Sequence, residues 1–290
     1  MAGGSIQQVV NRWSLCALCA MVSISSLDAA DAAPMPGFFG YRGPQGASSK
    51  ALREEAIAGL PTQRLTKRAQ ERILAIAKSP TIYRRLPSQA IDCDREMFLF
   101  LARNPEVLVG MWDLMGITKV KTKRIGPYKL DADDGSGTKC SIDLVYGDPN
   151  IHVYVTEGSY DGMMTARPLK GKGVIVLKST YAKGVDDRTT VTGTIDLFMQ
   201  VDSLGLDLVA RTLSGLIGRS ADYNFVETAR FVGQISQASE RNPPAMVDVA
   251  TRMPQVSGET RQRFIDIIQD LGTRSARNGR VAEQPGVVYR

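Results

Sequence analysis

Between Thr194 and Leu213 the chain changes its hydrophobic period without a pause. In TIDLFMQVD the apolar residues take every second position, and in the LGLDLVARTL that follows they recur three and four apart. The first period is that of a strand with one face in a core, the second that of a helix with an apolar stripe. Val191, Gly193, Ile195, Leu197, Met199 and Val201 share one strand face, against Thr192, Thr194, Asp196, Gln200 and Asp202. Only Phe198 interrupts the polar side. Leu206, Val209, Leu213, Leu216 and Ile217 then form the helical stripe. After an expected break at 218–222 it resumes with Phe225, Val226, Ala229, Val232 and Ile235. Each large side chain on such a stripe gains about 2 kcal/mol on burial, so the helix needs an apolar surface to lie on. The junction predicts a helix folded back across a sheet.

The rest of that sheet is legible upstream. KVKTKRIGPYKLDA, TKCSIDLVY, IHVYVTEG, MMTARPL, VIVLKSTYA and TTVTGTIDLFMQVD are strand candidates, separated by the turn signals DDGSG, GDPN, KGKG and KGVDDR. This spacing predicts an antiparallel meander. Ile142, Leu144 and Tyr146 fall on one face, as do Ile151, Val153 and Val155, so one dry and one wet face are expected. Before the meander, REMFLFLARNPEVLVGMWDLMG reads as two short helices broken at Pro105. PTQRLTKRAQERILAIAK forms a basic amphipathic helix that ends at Pro80 and is expected to dock on its own domain. GETRQRFIDIIQDLG gives a further helix, and a basic disordered tail is expected after it.

The N-terminus reads as an export signal. Arg12 precedes the apolar WSLCALCAMVSISSL, and Ala30-Asp31-Ala32 fits a small-x-small cleavage site. The expected organisation is a signal at 1–32, an irregular Gly/Pro/Ser-rich arm at 33–60, the amphipathic helix at 61–79, the main domain at 80–240, and a C-terminal helix and tail at 241–290. The product is then secreted or periplasmic. Loss of Arg12, Asp28 and Asp31 moves the net charge from +6 to +7. Cys93 and Cys140 are the cysteines left. They either bridge, contributing roughly 3 to 4 kcal/mol by loop closure, or stand as two separate buried thiols.

Catalytic signatures are missing. The chain has a single histidine, His152, which alternates onto the wetter sheet face, and it lacks G-x-S-x-G, H-E-x-x-H and P-loop spacings. No cofactor, metal or catalytic residue is expected. DADDGSG at 131–137 lacks the glutamate of a calcium loop and reads as a hairpin turn. Lys119, Lys121 and Lys123 line one strand face, either as an anion-binding row or as charges that protect a sheet edge. Aromatics do not interleave with them, which argues against nucleic acid.

The order of helix pair, meander, long last strand and long helix resembles the helix-grip fold of StAR-related lipid transfer (START-like) domains. Gln200, Asp202, Gly205, Leu208 and Val209 match that family's strand-to-helix junction, although Leu206-Asp207 stand where it commonly has a proline. NFVETARFVGQI, with Phe225 and Phe231, is similar to its helix end. The resemblance implies an α+β fold in which a curved antiparallel sheet wraps a long C-terminal helix. It further implies a cavity for a lipid or other apolar small molecule, read here as binding without catalysis, with a cyclase-like enzyme as the weaker alternative since some members of the family are cyclases. Trp112, Tyr146, Val155, Met199, Val201 and Leu213 are the expected lining. The competing expectation is a cell-envelope protein with a filled core that binds an anionic membrane surface or a protein partner.

Overall fold

The computed structural model describes residues 43–161, 168–184, 188–202 and 207–282, with the side chains of 207–217 and 278–282 outside the description. The signal reading at 1–32 and most of MMTARPL lie outside these residues. Helices α1 (Lys50–Ala58) and α2 (Lys67–Ala77) come first. β1 (Ile82–Arg85), β2 (Gln89–Asp92), α3 (Arg95–Arg103) and α4 (Pro105–Leu114) follow. The meander consists of β3 (Lys121–Gly126), β4 (Lys129–Asp133), β5 (Thr138–Gly147), β6 (Ile151–Tyr160), β7 (Leu169–Lys183) and β8 (Thr189–Asp202). Helices α5 (Asp207–Arg241), α6 (Pro243–Arg252) and α7 (Gly258–Ala282) close the chain.

All pairing is antiparallel, in the order β1-β8-β7-β6-β5-β4-β3, and β2 also pairs with β8. β1 and β2 lie end to end along the free side of β8, interrupted where Leu86 donates its amide to Ile195 O. The strand order and the long helix on the inner face make this an α+β helix-grip fold. Asp94 caps α3 by accepting from the amides of Glu96 and Met97, and Pro105 opens α4 where its missing N–H is harmless.

The outer sheet face is dry where the N-terminal helices cover it, contrary to the expectation of one wet face. On the inner face Ile82, Ile142, Tyr154, Ile175, Leu197 and Met199 pack with α3 to α7. On the outer face Val153, Val155, Val174, Val176 and Phe198 pack beneath Ala56, Leu60, Ile73 and Ile76 of the N-terminal helices. Phe198, the apparent fault in the polar alternation, is fully buried, its ring 5.1 Å from that of Tyr83. Gln200 donates to Ala75 O and Ser79 O, both at 2.9 Å, and so caps the end of α2. The amphipathic helix therefore rests on its own domain.

Several expected boundaries move. Part of the irregular arm is α1, because Ser49 caps it by accepting from Leu52 N. KGKG is strand, with Gly171 opposite Gly158 and Gly173 opposite Thr156. α5 runs unbroken through 218–222, where a Cβ on Gly218 would crowd the Arg84 side chain at 3.1 Å. RNPPAMV starts α6 under an Asn242 cap, and α7 continues into the expected tail.

The Cys93–Cys140 bridge is absent: Cys93 is a free, buried thiol. The Cys93 amide bonds Thr189 O at one end of β8, whereas Cys140 aligns through Gly158 and Gly171 with Val201 at the other. That separation is roughly 40 Å of strand, far beyond disulfide reach. Desolvation pushes the Cys93 thiol pKa well up.

Phe198→Ala would empty the outer core at its centre. The expected loss is about 3–5 kcal/mol of stability in urea unfolding, with faster amide exchange in α2 than in α5.

Candidate functional site

The inner face is graded in size along the sheet. Towards the β2 end Tyr181 of β7 meets Phe98 of α3 edge-on at 6.3 Å, and Phe100 of α3 stacks on Phe264 of α7 at 5.5 Å. Towards the start of α5 the face carries the cross-strand row Ala132, Cys140, Gly158, Gly171 and Val201. Gly158 is obligatory here, since a Cβ would lie 2.8 Å from that of Cys140. Ala132 is part of the inner core, and Cys140 and Val201 pack against it.

The expected lining residues divide between the faces. Trp112 is buried on α4 with its ring 5.7 Å from that of Phe231 on α5, and Met199 and Val201 lie on the inner face of β8. Val155 and Tyr146 belong to the outer core under α2. Tyr146 crosses over because a bulge at Val145 separates the Leu144–Tyr154 and Tyr146–Val153 pairs, which reverses the alternation. Its hydroxyl donates to Asp148 at 2.7 Å and accepts from Arg64 at 3.2 Å. Leu213 has its side chain outside the described residues.

α5 turns polar atoms inward that the sequence reading passed over. Ala221, Asn224, Thr228, Phe231 and Ile235 share the helix face that meets Trp112 and the inner core. Asn224 is 5% exposed, and neither its Oδ1 nor Thr228 Oγ1 has a hydrogen-bond partner. An unpaired buried polar atom costs about 1–3 kcal/mol. The signal was the polar pair four residues apart inside an apolar stripe.

Buried carboxylates are all committed to partners. Asp222 accepts from both Arg84 nitrogens and from Gly46 N at 2.9 Å. Glu106 receives Arg124 through two bonds, 2.6 and 2.7 Å. Asp196 accepts from Tyr83 and Arg85, both at 2.8 Å, and lies 3.2 Å from Lys178 Nζ. Burial and its bond to Asp196 raise the Tyr83 pKa, and a separate bond to Asp196 raises that of Arg85. These groups fasten elements to one another. Among the described residues no group of three or more His, Cys, Asp or Glu could hold a metal.

The lysine row borders an outer groove of about 630 Å³ shared with Asp131, Asp133, Glu157, Lys139 and Lys170. Lys119 precedes β3, Lys121 pairs with Asp113 at 3.0 Å, and Lys123 stands opposite Asp131. β4 thus sets carboxylates against the row. DADDGSG is a turn, with Asp134 accepting from the amides of Ser136 and Thr138.

No protein-family model matches the sequence, and no curated protein does. A conserved protein from Geobacillus kaustophilus aligns at TM-score 0.32 with 16% identity, over 49% of this chain and 93% of that one. Dicamba monooxygenase bound to dicamba aligns at 0.35 with 12% identity, over 70% and 62%. Ara h 8.0201 aligns at 0.27 with 12% identity, over 49% and 98%. With overlaps this loose, the helix-grip assignment rests on strand order and on α5.

His152 is on the inner face, fully buried, not on a wet one. Its Nε2 accepts from Arg103 Nε at 3.3 Å, which places the ring proton on a partnerless Nδ1. Desolvation, then the Arg103 charge, push its pKa down to about 4. The unfolded chain, titrating near 6.5, binds this proton first, so stability is full above pH 6.5 and falls as pH drops towards 4. The wild type should lose up to about 3 kcal/mol more than His152→Gln across that window, with imidazole NMR shifts fixing the midpoint.

Proposed function

We propose that this chain is an exported, non-catalytic binding protein that holds an amphipathic small molecule between the sheet and α5. The molecule has an apolar body and a polar end. In this reading the protein is a distant START-like relative, as its β8–α5 junction suggests. The supporting observation is the unpaired Asn224 Oδ1 and Thr228 Oγ1 on the inward face of α5. Polar atoms are retained in an apolar interior when something satisfies them. In this reading the short side chains at Ala132, Gly158 and Gly171 leave the room, and Trp112, Met199 and Val201 form the apolar wall.

Fluorescent fatty acid, sterol and phospholipid titrations of delipidated protein test this. At least one class should bind, and Asn224→Leu with Thr228→Val should weaken uptake about tenfold or more while stabilising the empty protein. Failure of every class to bind, with no stability gain in the variant, would leave a filled core and favour the envelope-interaction alternative.

A further inference from the structure

Two large apolar side chains are exposed on one turn. Ile125 is 46% and Tyr128 67% exposed, on either side of Gly126-Pro127 at the tip of the β3–β4 hairpin. The register explains Ile125. Arg124 pairs with Leu130 and Gly126 with Lys129, so Ile125 is the extra residue of a bulge and stands out of the ladder.

The turn is firmly braced. The Arg124 guanidinium donates to Pro127 O at 2.9 Å and grips Glu106, itself 1% exposed. Leu144 N donates to Tyr128 O at 2.9 Å. Neither side chain belongs to either core.

The collar of the tip is cationic. Lys123 and Lys129 are exposed beside it. Three carboxylates lie near. Arg124 holds Glu106, and Arg72 holds Asp143 at 2.8 Å, so Asp131 is the acid that faces the lysines.

We propose that the β3–β4 tip docks the protein on anionic bilayers, with Ile125 and Tyr128 entering the lipid interface and Lys123 and Lys129 meeting the headgroups. Isoleucine suits the acyl boundary, and tyrosine, apolar in body and polar at its end, suits the headgroup level. A basic residue at the surface adds roughly fivefold to affinity for anionic lipid. The shape also selects a bilayer. A stable protein interface needs about 800 Å² on each side, and a convex two-residue tip offers a small part of that. Docking through the tip needs no ligand in the grip.

Co-sedimentation with phosphatidylglycerol–phosphatidylcholine vesicles, and with phosphatidylcholine alone, tests this on the purified protein. Binding is expected to the first and not the second. Ile125→Ser with Tyr128→Ser should weaken it about tenfold or more, and Lys123→Gln with Lys129→Gln about fivefold for each charge. These side chains lie outside both cores, so far-UV dichroism should stay unchanged. Tyr128→Trp should gain fluorescence quenching by acyl-brominated lipid beyond that of the wild type. No binding, binding untouched by the serine pair, or an unquenched indole overturns the proposal. Equal binding to soluble polyglutamate, lost only in the lysine variants, also overturns it and points to an acidic protein partner.

Discussion

The structure depends on β8 being hydrogen-bonded along both edges and buried on both faces. β7 pairs with it throughout, from Lys170–Asp202 to Lys183–Thr189, while β1 and β2 share its other edge. Its side chains alternate between two cores, Leu197 and Met199 inward, Phe198 outward. A strand held in this way fixes its own register, since a one-residue slip would put Asp196 in place of Leu197.

Charge pairs then set the helices against this frame. Arg84 of β1 holds Asp222 of α5, Arg124 of β3 holds Glu106 of α4, and Arg85 and Lys178 converge on Asp196. Removing one partner of such a buried pair costs more than the pair contributes, because the survivor is left uncompensated. Their use is geometric: each pins one element at a defined place on the sheet. The N-terminal stretch is tied in the same way, by Gly46 N on Asp222 and by the Ala47–Arg85 bridge.

Much of the candidate site was legible as pattern, and its parity was not. The inward set on β8, the helix pair broken at Pro105 and the docking of the basic helix follow from period and proline alone. Tyr146 was misplaced because the bulge at Val145 carries no distinctive residue. His152 was assigned to a wet face because alternation reports which residues oppose each other, not whether a helix lies above them. Asn224 and Thr228 were passed over as breaks in a stripe, although at helical spacing they point with Phe231 and Ile235. β1 and β2 escaped notice because each has four residues and Leu86-Pro87 divides them.

The sequence by itself determined the order of elements, the strand-to-helix switch after Asp202 and the apolar face of each, because these arise from neighbours within a few residues. Tertiary structure alone decided that the second sheet face is covered, that Cys93 and Cys140 end at opposite ends of the sheet, and which polar atoms are shut away unpaired. Those outcomes depend on how a curved sheet brings residues distant in the chain together, and side-chain periodicity carries no record of that distance.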